Sequence, residues 1–308
     1  MNKKISIIVP VFFNAASLPM LFHGLTNLEK KLCEKSIDLE LFFVDDGSKD
    51  ASLNMLLEFK LLRPSTTIIK LTRNFGAVHA SKSALNLVTG DAFIFIAADL
   101  QDPPELILEM ADYWLAGNKF IICERISRND PLISKIFSFM YYKLLRTFVI
   151  SNYPKGGYDM ALMDKIFLPH LINSSKTVFT PLLTFWLGYE PKVIKYSRPK
   201  RKFGRSSWSF SKKFTAFLDV MLGFSVTPIR AISTIGFIVA IGSFLYGASV
   251  VINAIFNRIP VEGFATLASL FAFLLGLIII MLGLIGEYLW RIFDETNKRP
   301  ESVIENIW

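Results

Sequence analysis

The chain has 308 residues, of which 52% are hydrophobic, with a mean hydropathy of +0.42 and a formal net charge of +8 at pH 7. That length provides one ordinary soluble domain and a further region. The two cysteines exclude a disulfide framework, and the three scattered histidines do not support a zinc enzyme. We expect both cysteines, Cys33 and Cys123, to be small core residues.

Short apolar runs alternate with helical patterns from the N-terminus to about residue 195. Strands are predicted at residues 5–9, 39–44, 67–71, 92–97 and 120–123, and helices at residues 18–32, 51–59, 78–88 and 105–116. This alternation predicts an α/β domain whose mostly parallel sheet carries helices on both faces. No Gly-rich loop of the dinucleotide-binding or Walker type occurs, which argues against nicotinamide chemistry and ATP hydrolysis.

Polar residues follow the predicted strands, where an open α/β sheet presents its ligands. Asp45 and Asp46 follow the second strand and could accept hydrogen bonds from a base or ribose. Ser48 or Asp50 could instead cap the next helix, and both interpretations can hold at once. Arg73 follows the third strand and offers a cation near the same crevice.

The run of residues 99–105, Asp-Leu-Gln-Asp-Pro-Pro-Glu, follows the fourth strand and opens a helix with two prolines. On an extended segment the side chains of Asp99 and Gln101 would point toward one site. A carboxylate and an amide oxygen suit Mg²⁺ or Mn²⁺, which could carry a diphosphate. The alternative is a polar loop that only caps the helix.

Two uncharged runs, residues 231–257 and 263–286, are long enough to cross a hydrocarbon core that needs about 20 residues. A buried helical hairpin is the alternative. Residues 208–226 resemble an amphipathic helix in the membrane interface. Nine basic residues against one acidic residue lie at 195–230, which places both termini in the cytoplasm. The basic run favours anionic lipid or a lipid phosphate over nucleic acid.

Several motifs along nearly the whole chain resemble one family, the polyprenyl-phosphate glycosyltransferases, which are inverting family 2 enzymes with a Rossmann-like GT-A fold. The motifs are Ile8-Val9-Pro10-Val11 with Asn14, Val44-Asp45-Asp46-Gly47-Ser48, Arg73-Asn74-Phe75-Gly76, Thr89-Gly90-Asp91, residues 99–105, and Gly286-Glu287-Tyr288 with Arg299-Pro300. The combination is specific, whereas any one of these motifs alone is not.

The resemblance implies transfer of a sugar from a nucleotide sugar, most commonly UDP-glucose or another UDP-hexose, to undecaprenyl or another polyprenyl phosphate. The reaction would take place at the cytoplasmic face of the inner membrane, use Mg²⁺ or Mn²⁺, and yield a lipid-linked sugar for cell-surface glycans. The implied organisation is a GT-A domain at 1–207, an interfacial helix at 208–226, a transmembrane hairpin at 227–292 and a cytoplasmic tail at 293–308.

The resemblance also implies roles for individual residues. The nucleotide sugar would contact Pro10, Asn14, Asp45, Asp46 and Asp99, the metal would be held by Asp99 and Gln101, and the catalytic residues would be Arg125 and Asp159. Because a phosphate monoester is mostly dianionic at neutral pH, Asp159 need not act as a strong base and could position the acceptor instead. Alternatives are a surface ion pair of Arg125, for instance with Glu124, and a turn role for Asp159.

The lipid phosphate is predicted to meet the basic residues Arg128, Arg201 and Arg205, with plain attachment to the membrane surface as the alternative. Ala97 and Ala161 stand where the family has an aspartate and an arginine. They indicate either a branch with altered metal and phosphate contacts or a weakened member that acts as a scaffold in a glycosylation complex. Small residues in the first span would permit a homo-oligomer.

Overall fold

The computed structural model describes residues 2–126, 132–176, 178, 180–197, 220–256 and 263–308. The chain divides into one unit of residues 1–217 with 300–308 and a second unit of residues 218–299. The strands of the first unit are β1 Lys3–Val11, β2 Ile37–Asp45, β3 Thr66–Leu71, β4 Ala92–Phe95, β5 Phe120–Arg125, β6 Met160–Asp164, β7 Lys192–Tyr196 and β8 Ile304–Ile307. Its α-helices are α1 Leu18–Glu34, α2 Ser52–Leu62, α3 Ala77–Ser83, α4 Leu106–Leu115, α5 Leu132–Phe148, α6 Leu168–Ile172 and α7 Thr180–Trp186.

The strands form one sheet in the order β7-β5-β6-β4-β1-β2-β3-β8. Of these eight strands of the described chain, six run in one direction, and β6 and β8 run against their neighbours. The predicted α/β architecture with a mostly parallel sheet is therefore confirmed. The five predicted strands are all present, although β1 and β5 extend further than their apolar runs.

The core of the first unit lies between the central strands and their helices. Strand β1 buries Ile5, Ile7 and Val9 completely, and its other face is buried as well, as is typical of a strand covered on both sides. Helix α1 buries leucines at three- and four-residue spacing, namely Leu18, Leu21, Leu25, Leu28 and Leu32. This packing fixes the central strands whose carboxyl ends carry the polar loops.

The C-terminal residues add a strand to the sheet, which the sequence analysis did not predict. Strand β8 pairs antiparallel with β3 and covers its edge. Glu301 precedes this strand, and its carboxylate lies 2.7 Å from Lys82 Nζ and 3.5 Å from His79 Nδ1. The side chain of Lys82 is only 8% exposed, so this pair is a partly buried anchor for the C-terminus.

We expect Glu301→Gln to destabilise the first unit by about 1–3 kcal/mol, because the buried Lys82 ammonium loses its anionic partner. Burial opposes ionisation of Glu301, but hydrogen bonds from His79 and Lys82 outweigh it and lower the pKa of this carboxyl. A lowered folded-state pKa stabilises the fold above the unfolded value and ceases to do so as the pH falls through the folded value. Thermal unfolding of both proteins in detergent should therefore show a difference that shrinks below pH 4.5.

Glu305→Gln is the matched control for this prediction. Glu305 lies on the same C-terminal segment and pairs with Lys70 at 2.8 Å, but its side chain is 42% exposed. An exposed pair contributes less than about 1 kcal/mol, so this variant should unfold close to the wild type. Equal losses in the two variants would contradict the anchoring role of Glu301.

The second unit contains two long apolar helices, α8 Thr227–Ile255 and α9 Phe264–Thr296. Both contain segments long and apolar enough to cross a membrane, at Thr227–Ser249 and Phe273–Thr296. Gly236 on α8 faces Met281 on α9, and a Cβ at Gly236 would lie 3.4 Å from the Met281 methyl carbon. This small residue therefore packs inside the hairpin. Of the predicted interfacial helix, residues 220–224 are helical and residues 208–219 lie outside the described part.

Candidate active site

Polar residues from several strands meet at the carboxyl-terminal edge of the sheet, which is the margin where the parallel strands end. Strand β2 ends at Asp45, β5 ends at Arg125, and β7 ends at Tyr196. Asp159 directly precedes β6, which runs in the opposite direction, so it lies at the same edge as these strand ends. Asp99 follows β4 four residues beyond its last residue, Phe95. This is the edge at which open α/β sheets bind ligands.

Asp46 joins two of the loops at this edge. Its carboxylate accepts hydrogen bonds from the backbone N–H groups of Phe75 at 2.7 Å and Gly76 at 2.9 Å. Its own N–H donates to the carbonyl of Val11 at the end of β1. The side chain that was predicted to contact a nucleoside thus holds the loop after β3 against the end of β2. Burial raises the pKa of Asp46, although the two backbone donors oppose the shift.

The loops after β2 and β3 run unusually close together. Gly47 has φ +73°, and a Cβ there would lie 2.7 Å from the Arg73 backbone carbon. A larger residue at this position would push the two loops apart. The Arg73 guanidinium in turn lies 4.1 Å from the centroid of the Phe75 ring. The cation expected near the crevice is therefore held against its own loop.

Asp45 differs from its neighbour in having an unsatisfied oxygen. Asp45 Oδ1 accepts a 3.4 Å hydrogen bond from Ser48 N, whereas Oδ2 is buried without a partner among the described residues. Burial raises the pKa of this carboxyl, and the charges of Asp50 and Asp46 add to the effect. A buried, unsatisfied carboxylate oxygen at a ligand-binding edge is a functional-site candidate.

The loop after β1 is fixed by the loop after β2. The N–H of Phe13 donates to Ser48 Oγ at 3.2 Å, and the N–H of Asn14 donates to Ser52 Oγ at 3.0 Å. Asn14 Oδ1 accepts from Phe12 N, and Asp50 accepts from Ser52 N at the start of α2. The N-cap residue of α2 is Ala51, and it makes no side-chain capping hydrogen bond, so the prediction that Ser48 or Asp50 caps this helix was wrong.

Pro10 occupies the penultimate position of β1 and is in register with Val44 on β2. Pro10 is half-buried, and the next residue, Val11, is the register partner of Asp45 and lies three residues before Asn14. The structure therefore brings Pro10, Asn14 and Asp45 to one corner of the edge.

The loop that begins at Asp99 is not extended, so that part of the prediction was wrong. Leu100 has φ +60°, a left-handed conformation that is uncommon for a leucine, and Asp99 Oδ1 accepts a 3.1 Å hydrogen bond from Gln101 N. This Asx-type turn directs the chain into α4. Ala97 is half-buried just after β4, and Ala161 is buried inside β6.

A divalent metal has few protein ligands at this edge. No three His, Cys, Asp or Glu side chains come together as a metal-binding group in the described part of the chain. Asp99 and Gln101 supply one carboxylate and one amide oxygen, which are suitable donors for Mg²⁺ or Mn²⁺ provided that a diphosphate or water completes the coordination.

Arg125 and Asp159, at the ends of the neighbouring strands β5 and β6, form an ion pair at this edge. Arg125 Nε lies 2.7 Å from Asp159 Oδ2, and the two side chains are 26% and 6% exposed. The pairing with Glu124 that was an alternative for Arg125 is therefore replaced by a pairing with the other predicted catalytic residue. The phenol of Tyr196 also donates to Asp159 Oδ2, at 2.8 Å. Tyr196 belongs to no motif, so sequence reasoning missed it.

The two cysteines occupy different environments, contrary to the expectation that both lie in the core. Cys123 is fully buried on β5, while Cys33 near the end of α1 is exposed. Burial, together with the nearby carboxylates of Glu109, Asp102 and Asp159, raises the pKa of the Cys123 thiol to about 12. Cys33 falls on the solvent side because the buried stripe of α1 passes through Leu32.

We predict that iodoacetamide at pH 8 alkylates Cys33 and leaves Cys123 unmodified, since the thiolate is the reactive form and burial suppresses it. Intact-mass measurement should show one adduct on the native protein and two after denaturation. Cys33→Ser should then show none in the native state. A native adduct on Cys123 would contradict the placement of β5 in the core.

Three predicted contacts of the lipid phosphate, Arg128, Arg201 and Arg205, lie outside the described residues.

Comparison with known proteins identifies the family to which the chain belongs. The sequence profile of Glycosyl transferase family 2 matches residues 6–165. An uncharacterized glycosyltransferase of Synechocystis is 32% identical over 100% of this chain and 96% of its own length. The bactoprenol glucosyl transferase of Shigella phage SfX is 32% identical over 98% of this chain and 99% of its own length.

A solved structure shares the fold. Glucosyl-3-phosphoglycerate synthase from Mycobacterium tuberculosis, in complex with Mn²⁺, UDP and glucosyl-3-phosphoglycerate, has a TM-score of 0.50 and 12% identity. The match covers 71% of this chain and 79% of that one. At this identity the likeness establishes a common fold.

Proposed function

This chain belongs to glycosyl transferase family 2 and has its GT-A fold, and we propose that it transfers a sugar with inversion from a nucleotide sugar to a polyprenyl phosphate at the cytoplasmic face of a membrane. The observation that carries the proposal is the similarity to the bactoprenol glucosyl transferase of Shigella phage SfX, which extends over 98% of the chain and so includes both apolar helices. UDP-glucose is the donor that we favour.

The topology of the chain supports a cytoplasmic location for both termini. Strands β1 and β8 belong to one sheet, while the two candidate spans lie between them in sequence. Two crossings return the chain to the side on which it started, so the N- and C-terminal segments must share a compartment. The basic residues before the first span favour the cytoplasm for that compartment.

The acceptor phosphate is mostly dianionic at neutral pH and is a competent nucleophile without a strong base. Asp159 would orient the acceptor, and Arg125 would stabilise the charge that develops on the departing nucleoside diphosphate. Asp45 would accept a hydrogen bond from the base through its unsatisfied oxygen, with Pro10 and Asn14 beside it, while Asp46 would act by holding the loop after β3. Arg128, Arg201 and Arg205 would pair with the lipid phosphate.

Asp99 and Gln101 would hold the metal, which when bound supplies positive charge to the diphosphate. Asp99 would thereby also position the nucleotide sugar. The charge that one carboxylate provides is smaller than that of the usual pair, because Ala97 replaces the other aspartate.

The direct test is to incubate the purified protein with undecaprenyl phosphate, Mg²⁺ or Mn²⁺ and radiolabelled UDP-glucose, UDP-galactose, UDP-N-acetylglucosamine or GDP-mannose. Label from one donor should enter the lipid fraction and depend on the acceptor. Absence of lipid label with every donor, from a folded protein, would favour the scaffold alternative that Ala97 and Ala161 suggest.

We predict that Ala97→Asp lowers the Mg²⁺ or Mn²⁺ concentration that gives half-maximal transfer. An added anionic oxygen raises the affinity of a hard-cation site, and Ala97 is half-buried two residues before Asp99. Metal titration of transfer should show the change, with Ala97→Asn as the neutral control of similar size. Identical metal dependence in the aspartate variant and the wild type would mean that residue 97 does not face the ion.

A further inference from the structure

Tyr196 connects the ion pair to a second carboxylate at the same edge. Its hydroxyl lies 2.8 Å from Asp159 Oδ2 and 3.5 Å from Asp102 Oδ1. Asp102 belongs to the 99–105 loop that would hold the metal, and its side chain is buried. One phenol thus stands between the metal-binding loop and the residue predicted to orient the acceptor.

The strand pairing determines why Tyr196 reaches this place. Strands β5 and β7 run parallel, and Tyr196 is the register partner of Arg125. Residues in register on neighbouring strands point to the same face of the sheet, so the phenol and the guanidinium approach Asp159 together. The backbone is fixed as well, because the N–H of Ile126 donates to the carbonyl of Tyr196 at 3.0 Å.

The hydroxyl has a single proton, and the distances assign it to Asp159. Asp159 Oδ2 then accepts from both Tyr196 and Arg125, two donors of which one is charged. Two directional bonds fix an oxygen more firmly than one, and a carboxylate so fixed holds the guanidinium in turn. The phenol is only 5% exposed, so water competes poorly for this bond.

We propose that Tyr196 is a positioning residue for sugar transfer, one that holds Asp159, and through it Arg125, in the orientation that the reaction requires. The inference rests on the proposed function. Tyr196 acts through Asp159 and does not act directly on the substrates. Loss of the phenol should therefore lower kcat and leave the KM values for nucleotide sugar and polyprenyl phosphate nearly unchanged.

The test is Tyr196→Phe, alone and combined with Asp159→Ala. A buried hydrogen bond to a charged group is strong enough that we expect the single variant to lose about ten- to a hundredfold in kcat. In the Asp159→Ala background the same change should cost less than about twofold, because no side-chain oxygen remains at residue 159 for the phenol to hold. Equal losses in both backgrounds, or an unchanged kcat in the single variant, would overturn the inference.

Tyr158→Phe is the matched control, since it also removes a tyrosine hydroxyl, from a half-buried side chain two residues before β6. The Tyr158 hydroxyl contacts Thr184 Oγ1 and the carbonyl of Pro181, both at 3.0 Å, and neither contact involves Asp159. This variant should melt at a lower temperature yet keep its kcat. A comparable loss of kcat in Tyr158→Phe would show that removing either tyrosine hydroxyl lowers kcat through a general loss of stability, which would also overturn the inference.

Thermal unfolding of the wild type, Tyr196→Phe, Asp159→Ala and the variant with both changes separates this inference from the proposed function. Tyr196 and Asp159 should be coupled in melting temperature whether or not the protein transfers sugar, because the contact belongs to the folded state. Coupled melting with no transfer by the wild type would overturn the proposed function, and the inference with it. Coupled melting with active wild type and fully active Tyr196→Phe would overturn the inference alone.

Discussion

Asp99→Asn is expected to lower sugar transfer by more than about 100-fold while the protein remains folded and membrane-bound. In the proposed metal site Asp99 supplies the one carboxylate, because Ala97 stands where the family resemblance predicts a second aspartate. Asparagine keeps the size and one oxygen but removes the negative charge, and a neutral pair with Gln101 holds a hard divalent cation weakly. Even residues that only support metal ligands affect activity by about 10- to 100-fold, so a ligand itself should matter more.

The measurement is transfer of label to polyprenyl phosphate across a metal titration, with melting temperature as the check on folding. Asp112→Asn is a suitable control, because Asp112 lies on α4, the helix that follows the 99–105 loop, but its carboxylate is 55% exposed and pairs with Lys35. That variant should transfer at the wild-type rate. Wild-type turnover by Asp99→Asn at saturating metal would remove Asp99 from the metal site.

The alternation of short apolar runs with helical patterns was sufficient to predict the central strands and their order in the chain. Strands such as β1 are buried on both faces, so their composition shows the burial directly. The paired aspartates were also visible in the sequence. The different roles of the two aspartates were not visible in the sequence. Asp46 accepts hydrogen bonds from the backbone of Phe75 and Gly76, and those contacts depend on how two loops approach each other in space.

The secondary structure in the second half of the first unit was predicted much less completely. Helix α5 and strands β6 and β7 were not predicted. Strand β7, Lys192–Tyr196, is a short edge strand with only partly buried side chains and therefore a weak pattern, whereas β6 is buried inside the sheet but only five residues long. Strand β8 is exposed on every residue and owes its structure to pairing with β3. Tyr196 reaches Asp159 through strand order and register, which no local signal in the sequence encodes.

Breaking the Arg125–Asp159 pair is expected to lower kcat by about 100-fold or more and to lower the melting temperature at the same time. Arg125→Gln takes away the cation that we propose stabilises the charge developing on the diphosphate. It also leaves the Asp159 carboxylate, which is 6% exposed, without this guanidinium. Arg125→Lys retains the charge but not the Nε geometry, so its kcat should fall between those of the glutamine variant and the wild type.

The double variant Arg125→Gln with Asp159→Asn distinguishes a catalytic pair from a structural one. Replacing both partners by neutral groups removes the buried charge imbalance, and a neutral pair of similar shape costs little stability. The melting temperature should therefore recover toward the wild-type value, since the hydroxyl of Tyr196 can still donate to the amide oxygen that the Asp159→Asn change leaves in place of the carboxylate.

If Arg125 acts on the phosphate groups, kcat of the double variant stays about 100-fold below the wild-type value even though the fold is restored. If the pair only stabilises the edge of the sheet, activity returns together with the melting temperature, and the catalytic assignment of both residues fails. Measuring kcat and melting temperature on Arg125→Gln, Asp159→Asn and the double variant decides between these outcomes. The expected result is a restored fold without restored chemistry, because in the proposed function the guanidinium of Arg125 is the member of the pair that supplies positive charge to the leaving diphosphate.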